Sequence, residues 1–265
     1  MINLHAVTKQ FGDTRALDDV SCVFNEGMTI GVIGPNGSGK STLARLLNGL
    51  LEPTSGTIEV DDITVSKETV YRVRERVGLV FQNPDNQIVA STVIDDVAFG
   101  LENRMCPPDE IERRCMEALT FVDMPSYRDH LTANLSGGQK QRIAVAGVLA
   151  MDTPYMVFDE PTSLLDAEGR RAVLDILFKL KKLGKTIIMI SHFLDEVFLA
   201  DKILVLWKGK VIFFDTPQLL LHSNDILEKI GFPLPLHLSV AQQCGLTPDR
   251  LDIHGVMQEY KERYG

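Results

Sequence analysis

Residues Gly31 to Thr42 read GVIGPNGSGKST, and this stretch decides what fold the chain can adopt. It fits the pattern G-x-x-x-x-G-K-[ST], in which the backbone N–H groups of a glycine-rich loop surround phosphate oxygens. An apolar run from Met28 to Ile33 precedes the loop, and an amphipathic stretch from Leu43 to Leu51 follows it. The loop is therefore predicted to join a strand to a helix whose positive end faces the same anion.

The chemistry of this loop predicts that it binds a nucleotide. Lys40 would place a full positive charge at the β- and γ-phosphates, and the Ser41 hydroxyl can ligate Mg²⁺. The residues expected to contact the nucleotide are Gly34, Pro35, Asn36, Gly37, Ser38, Gly39, Lys40, Ser41 and Thr42.

Composition limits the remaining possibilities. The chain has 265 residues, 45% of them hydrophobic, which suits one large α/β domain or one domain with an appendage. Its formal net charge of −9 gives no electrostatic footprint for duplex nucleic acid, so no nucleic-acid partner is expected. We find no signal-peptide pattern and no apolar run near the roughly 18 residues that span a bilayer, which predicts a protein soluble by itself. The four cysteines form no C-x-x-C pair and are expected to be reduced thiols.

Strand-like and helix-like stretches alternate along most of the chain. Strands are predicted at residues 2–7, 16–24, 57–60, 63–65, 77–81, 155–158, 186–190, 203–207 and 210–214. Helices are predicted at residues 70–76, 91–103, 109–122, 135–151, 167–183 and 254–263. This alternation predicts an α/β fold with a mostly parallel sheet and helices on both of its faces.

Four polar residues lie just beyond predicted strands, and they are Lys40, Gln82, Asp159 and His192. Parallel sheets bind ligands at the carboxyl ends of their strands. We therefore expect these residues to surround one site.

Two acids end the apolar strand at residues 155–158. Asp159 can hold Mg²⁺ directly or through its waters, and Glu160 can orient and deprotonate an attacking water. Alone, the pair would be an ordinary acidic strand terminus. In the same sheet as a phosphate loop, we interpret it as catalytic.

The sequence LSGGQ, residues Leu135 to Gln139, has two compatible interpretations. Ser136 and Gln139 form the S-x-x-Q pattern of a capping box at the start of an apolar helix. Gly137 and Gly138 also let an anion approach the backbone at that helix start.

Taken together, these segments resemble the ATP-binding-cassette (ABC) ATPases over about residues 1–215. GPNGSGKS corresponds to the Walker A loop, YMVFDE to the Walker B strand and LSGGQ to the family signature. Gln82 corresponds to the Q-loop glutamine, residues 163–166 (SLLD) to the D-loop and His192 to the switch histidine. Phe11 falls at the A-loop aromatic, where the family commonly has tyrosine. Considered singly, Gln82 is uninformative and His192 is more often a structural histidine than a catalytic one. Phe11 alone would usually be core or turn packing, although an aromatic there could stack on a base.

The resemblance implies a function for each of these residues. The implied catalytic residues are Glu160, His192, Gln82 and Lys40, and the implied Mg²⁺ ligands are Ser41, Gln82 and Asp159. Beyond the Walker A loop, the implied ATP contacts are Phe11, Ser136, Gly137, Gly138, Gln139 and Asp166. The cofactors are ATP and Mg²⁺, held in a head-to-tail dimer in which the signature of one subunit faces the Walker A loop of the other.

The resemblance also implies an architecture. It is a phosphate-loop cassette with a mostly parallel core sheet, an antiparallel β subdomain and a helical signature subdomain at about residues 84–150. Residues 216–265 form a C-terminal extension beyond the cassette, expected to contact a dimer mate or another partner.

A narrower likeness points to one subfamily. FQNPDNQ, residues 81–87, and the tail with Phe232-Pro233-Leu234-Pro235 are similar to the ATPase subunits of energy-coupling-factor importers, which take up vitamins and transition-metal ions. Such a subunit lies at the cytoplasmic face of the cell membrane. Its partners are a second cassette ATPase, identical or paralogous, a transmembrane coupling protein and a substrate-binding membrane subunit.

Other functions remain open from the residues alone. A soluble cassette ATPase acting on nucleic acid or ribosomes usually has two cassettes or a long coiled coil, and this chain has neither. A phosphate-loop kinase has no use for LSGGQ. A cytosolic scaffold ATPase for cluster assembly is distinguishable only by its partners.

The stretch from Gln82 to Leu101 is predicted to dock the membrane-embedded partner. Residues 83–86 are turn-rich and hinge-like. Ile88 and Val89 are apolar with no obvious core to fill, and Asp95 and Asp96 are expected to offer acidic charge to an arginine.

Overall fold

The structure, a computed structural model, describes residues 1–246 and 251–264. Strands β1 to β10 are Ile2–Phe11, Thr14–Phe24, Thr29–Ile33, Ser55–Val60, Ile63–Thr64, Val77–Val80, Tyr155–Asp159, Thr186–Ile190, Lys202–Trp207 and Lys210–Asp215. Helices α1 to α11 are Lys40–Leu47, Val70–Arg76, Val93–Asn103, Pro108–Phe121, Gly137–Ala150, Ala167–Lys182, Leu194–Val197, Pro217–Leu221, Asn224–Ile230, Leu236–Gln243 and Ile253–Tyr264.

The strands form two sheets. Strands β9, β3, β8, β7 and β6 run parallel in that order, and β10 pairs antiparallel with β9 at one edge. The second sheet is antiparallel, in the order β2-β1-β4-β5. The predicted α/β fold with a mostly parallel sheet is confirmed.

Some boundaries differ from the sequence predictions for local reasons. Strand β1 continues to Phe11 and β2 begins at Thr14, because these two residues still pair with each other. Gly12 and Asp13 form the turn between them. Helix α3 begins at Val93 rather than at residue 91 because the Thr92 side chain accepts a hydrogen bond from the Asp95 N–H, which makes Thr92 the N-cap.

Three clusters of buried side chains hold these layers together. The first lies between the antiparallel sheet, α1 and one face of the parallel sheet. The second joins helices α3 to α6 to strands β6 to β8. The third packs residues of the C-terminal extension, such as Leu220 and Leu238, against Ile33 and Val205 of β3 and β9. The extension therefore shares a core with the strand that leads into the phosphate loop.

Candidate active site

The phosphate loop follows the buried strand β3 and ends where α1 begins at Lys40. Two of its glycines cannot be replaced without a clash. A Cβ on Gly39 would lie 2.3 Å from the Ala16 carbonyl oxygen, and one on Gly34 would lie 2.1 Å from that of Leu206. Gly39 also has φ +106, a backbone conformation that side chains disfavour. The loop is thus held tightly between β2 and β9.

Lys40 is a buried cation at the base of this loop. Its Nζ donates hydrogen bonds to the carbonyl oxygens of Gly34 at 2.7 Å and Pro35 at 3.1 Å. Burial lowers the pKa of Lys40, against the opposing influence of Glu160 and Asp159. These contacts keep the ammonium beside the loop.

Ser38 adds a second polar group to the same loop. Its Oγ is buried and has no hydrogen-bond partner among the residues that the structure describes. Buried hydroxyls normally have a partner, so an oxygen-rich ligand held by the loop would satisfy this one.

Ser41 and Asp159 form a pair of oxygen donors next to the loop. The Ser41 hydroxyl donates to Asp159 Oδ1 at 2.9 Å, and Asp159 is only 5% exposed. Burial raises the pKa of Asp159; the Ser41 hydrogen bond opposes this effect and the neighbouring Glu160 charge adds to it. Hydroxyl and carboxylate oxygens are the ligands that Mg²⁺ prefers, so this donor set fits that ion.

Glu160 lies at the centre of the site and joins two of the other strand ends. Its Oε2 accepts a hydrogen bond from Gln82 Nε2 at 2.8 Å, and its Oε1 lies 2.5 Å from His192 Nε2. Gln82 follows β6, Glu160 follows β7 and His192 follows β8. The structure thus brings together the ends of β6, β7 and β8, three of the four strand ends predicted to surround one site.

The LSGGQ segment forms the predicted capping box. The Ser136 N–H donates to Gln139 Oε1 at 2.8 Å, and the Gln139 N–H donates to Ser136 Oγ at 3.3 Å. Gln139 Nε2 also donates to the Tyr127 hydroxyl at 2.9 Å. Ser136 and Gly137 are nevertheless exposed, so the N-terminal end of α5 is open to an anion from outside the chain.

Phe11 and Asp166 occupy exposed positions at the ends of secondary structure elements. The Phe11 ring is 48% exposed, and Lys9 Nζ lies 5.2 Å from its centroid. Asp166 caps α6, where its Oδ1 accepts a hydrogen bond from the Gly169 N–H at 2.8 Å.

The segment after Gln82 is tied to the signature helix α5. Lys140 Nζ contacts Asp85 Oδ1 at 2.7 Å, and Gln87 Nε2 donates to the Ala144 carbonyl oxygen at 3.3 Å. Val89 is 63% exposed, whereas Ile88 is half-buried.

One expectation for this segment is wrong. Asp96 does not offer its charge to a partner, because it is buried and its Oδ1 accepts hydrogen bonds from the N–H groups of Val89 and Ala90, at 2.8 and 3.1 Å. Asp95 is exposed and remains available.

Sequence analysis missed three residues that contact the site. Glu196 and Arg170 form a buried network behind His192. Phe232 of the C-terminal extension meets the His192 ring edge-on, with the centroids 6.0 Å apart. No local pattern in the sequence indicates these contacts, because each joins segments far apart in the chain.

Two features are absent from the described residues. No group of three or more His, Cys, Asp or Glu side chains within 1–246 and 251–264 could hold a metal ion by itself. No helix in these ranges is long and apolar enough to cross a membrane.

The chain was compared with known proteins. Residues 17–163 match the ABC transporter family, ABC_tran. The energy-coupling factor transporter ATP-binding protein EcfA1 of Caldanaerobacter subterraneus subsp. tengcongensis is 47% identical over 239 residues, covering 89% of this chain and 86% of that protein. EcfA1 of Bacillus licheniformis is 46% identical over 253 residues, covering 93% and 90%.

Solved structures of ATP-binding cassettes also resemble this chain. The structure of cbiO1 from Clostridium perfringens, described as part of the ABC transporter complex cbiONQ, has a TM-score of 0.77 and 35% identity and covers 91% of this chain and 98% of its own. The dimeric ATP-binding cassette MJ0796, bound to ADP and Pi in a post-hydrolysis state, has a TM-score of 0.74 and 30% identity and covers 82% and 98%. Glu160 with its partners Gln82 and His192, the Glu160 cluster, lies on the same parallel sheet as the phosphate loop, and the signature helix packs against that sheet. The chain belongs to the ABC transporter family of ATP-hydrolysing subunits, among the energy-coupling factor transporter ATP-binding proteins.

Proposed function

We propose that this chain energises an energy-coupling-factor importer for a vitamin or a transition-metal ion, and that the Glu160 cluster is its hydrolytic centre. The chain is an ABC ATPase that energises a membrane importer. The proposal extends this to the solute class, the catalytic residues, Mg²⁺ and the partners.

The observation that carries the catalytic assignment is the Glu160 carboxylate, held between Gln82 and His192. A carboxylate at this strand end can take a proton from a water that attacks the γ-phosphate. His192 then contacts the γ-phosphate oxygens, and Gln82 senses whether that group is present. Lys40 provides the positive charge at the β- and γ-phosphates.

Ser41 and Asp159 would hold Mg²⁺, with Gln82 approaching from the neighbouring strand end. The bound ion would neutralise charge on the β- and γ-phosphate oxygens. Phe11 would stack on the base, and its 48% exposure leaves the ring open for that contact.

A second cassette subunit, identical or paralogous, would complete the site. Ser136, Gly137, Gly138 and Gln139 stand at the exposed start of α5, where they would face the γ-phosphate held by the mate's Walker A loop. Asp166 would lie at the same dimer contact. This arrangement is supported by the dimeric form of the similar cassette MJ0796.

Residues 82 to 101 would dock the transmembrane coupling protein, with the chain peripheral at the cytoplasmic face of the membrane. Val89 is an exposed apolar contact, and Asp95 is an exposed acid suited to an arginine. The bonds from Asp85 and Gln87 to α5 support this assignment. Because of them, a movement of either the Q-loop or the signature helix would be transmitted to a partner docked on this segment.

Affinity purification of the tagged chain from solubilised membranes, followed by mass spectrometry, tests the proposal. We expect a second cassette ATPase and two kinds of membrane protein, the coupling protein and the substrate-binding subunit. Val89→Glu should abolish co-purification of the two membrane proteins without changing ATP binding. The matched control is Leu183→Glu, since Leu183 is 62% exposed at the end of α6.

Recovery of only cytosolic proteins with the wild-type chain would instead favour an ABC-type ATPase that acts on a cytosolic assembly. If Val89→Glu and Asp95→Arg both retain the membrane proteins, the docking surface lies elsewhere on the chain.

A further inference from the structure

Glu196, at the start of the short helix α7, has a fully buried carboxylate that is held by three side chains. The Thr162 hydroxyl donates to both carboxylate oxygens, at 2.8 and 3.0 Å. The Ser191 hydroxyl donates to Oε2 at 2.5 Å, and Arg170 Nε donates to Oε1 at 2.6 Å. The charge of Glu196 is thus paired and hydrogen-bonded away from water.

Each of these three partners belongs to a different segment of the active site. Thr162 lies two residues after Glu160, and Ser191 immediately precedes His192. Arg170 lies on α6, one turn after its N-cap Asp166. A single carboxylate therefore joins the loop of the general base, the loop of the switch histidine and the helix that follows the D-loop.

Arg170 extends the same network towards the surface. Its Nη2 donates a hydrogen bond to Asp195 Oδ2 at 2.9 Å, and the guanidinium carbon lies 4.0 Å from the centroid of the Phe193 ring. A planar guanidinium can make these contacts together, whereas a lysine ammonium cannot. The residue after His192 is therefore also fixed to α6.

The backbone at Glu160 explains why such a support is needed. Glu160 has φ +51, a left-handed conformation that costs a non-glycine residue free energy and persists only where the surroundings hold it. The Glu160 N–H donates to the Ile190 carbonyl oxygen at 3.1 Å on one side. On the other side, the Thr162 bond to Glu196 fixes the chain two residues later.

We propose that Glu196 is a positioning residue for ATP hydrolysis. It holds Glu160 and His192 in their mutual geometry by tying the loops of both residues to α6. The inference rests on the proposed function, in which Glu160 and His192 act on ATP. A displacement of about 1 Å at a reacting group can cost about 10²-fold in rate, so a support of this kind has a measurable effect on turnover.

The test compares Glu196→Gln with wild type in the ATPase complex purified from membranes with its partners. The change keeps the side-chain shape but replaces a carboxylate by a neutral amide. The carboxylate accepts hydrogen bonds from Thr162, Ser191 and Arg170. We expect kcat to fall about 10²-fold while the dissociation constant for ATP is unchanged, because the phosphate loop is untouched. The double variant with Glu160→Gln should be slower by less than the product of the two single effects, since Glu196 acts in part through Glu160.

Asp201→Asn is the matched control. Asp201 also pairs with a cation on α6, Lys181 at 2.7 Å, and accepts a backbone N–H from Thr29 at 2.7 Å. It makes the same acid-to-amide change without contacting the loops of Glu160 or His192. We expect it to lower the melting temperature and leave kcat unchanged.

A second pair of variants tests the network without removing the buried charge. Thr162→Val keeps the side-chain shape and leaves Glu196 paired with Arg170, yet removes the bond to the Glu160 loop. It should lower kcat by about tenfold, and Thr162→Ser, which keeps the hydroxyl, should restore it. If Glu196→Gln does not fold, the turnover of Thr162→Val and Thr162→Ser alone tests whether the Glu196 network supports hydrolysis.

The two possible failures are distinguishable. Wild-type turnover in Glu196→Gln or Thr162→Val, while Glu160→Gln is inactive, overturns the inference and leaves the proposed function intact. Wild-type turnover in Glu160→Gln overturns the catalytic assignment, and this inference with it.

Discussion

Replacing Glu160 by glutamine is the most informative single change in this protein. Both carboxylate oxygens are in use, one towards His192 and one towards Gln82. An amide keeps only one accepting oxygen, so either the Gln82 amide must turn over or His192 must change its protonation for both contacts to persist. The substitution therefore removes the proposed base and also loosens the arrangement of its neighbours.

The expected loss follows from the assignment of Glu160 as base. A positioned base contributes about 10²- to 10⁴-fold to a rate, or about 2.7–5.4 kcal/mol of activation free energy. The free energy of unfolding should change little. The contact with His192 is lost, but so is the repulsion between the carboxylates of Glu160 and Asp159, which helps to raise the pKa of buried Asp159. Affinity for ATP should hold or rise, since one negative charge near the γ-phosphate is removed.

Steady-state and single-turnover hydrolysis by the purified complex would measure the rate, and calorimetry would measure ATP affinity. Size-exclusion chromatography with ATP should reveal a trapped dimer. Glu117→Gln is the matched control, because Glu117 belongs to an exposed pair with Arg113 on α4. Turnover within about threefold of wild type, well below the 10²-fold minimum for a base, would refute the assignment.

Three further predictions concern other parts of the chain. Lys40→Ala should abolish tight ATP binding in calorimetry, because the charge beside the loop is lost; unchanged affinity would contradict the phosphate-loop assignment. Phe11→Ala should weaken ATP binding by roughly 1–3 kcal/mol if the ring stacks on the base, and an unchanged dissociation constant would make Phe11 a turn residue. Burial raises the pKa of Cys22 to about 12 and that of Cys115 to about 11, so a thiol reagent at neutral pH should modify half-buried Cys106 and Cys244 before these two; mass spectrometry finding Cys22 modified as fast would contradict this.

Much of the fold could be predicted because its signals are local. The phosphate loop needs a strand before it and a helix after it, and apolar runs mark β3, β7 and β8 in the sequence. Parallel strands bring their carboxyl ends together, so the meeting of Gln82, Glu160 and His192 followed from the order of elements alone.

Asp96 shows a signal that was present and was misjudged. It lies three residues after Val93 and one before Val97, and both of these are fully buried. The helical period therefore places the carboxylate at the edge of the buried face. It is tolerated there because it accepts hydrogen bonds from two loop N–H groups that would otherwise lack partners.

The network around Glu196 could not be predicted in the same way. Arg170 and Glu196 are 26 residues apart, and their contact depends on how α6 packs beside the end of β8. The Phe232 contact with His192 depends likewise on the C-terminal extension sharing a core with β3. Both are consequences of tertiary packing, for which spacing in the sequence gives no rule.

The position of Glu160 relates these networks to one another. Its carboxylate contacts Gln82, and the segment after Gln82 is fixed to the signature helix through Asp85 and Lys140. The loop after Glu160 is fixed through Glu196 to α6, which begins at the D-loop. The signature and the D-loop are the two segments proposed to meet the second subunit. A change in the contacts of Glu160 during hydrolysis would therefore act on both of these segments at once, which gives a physical reason for the proposed base to be bonded to its neighbours on either side.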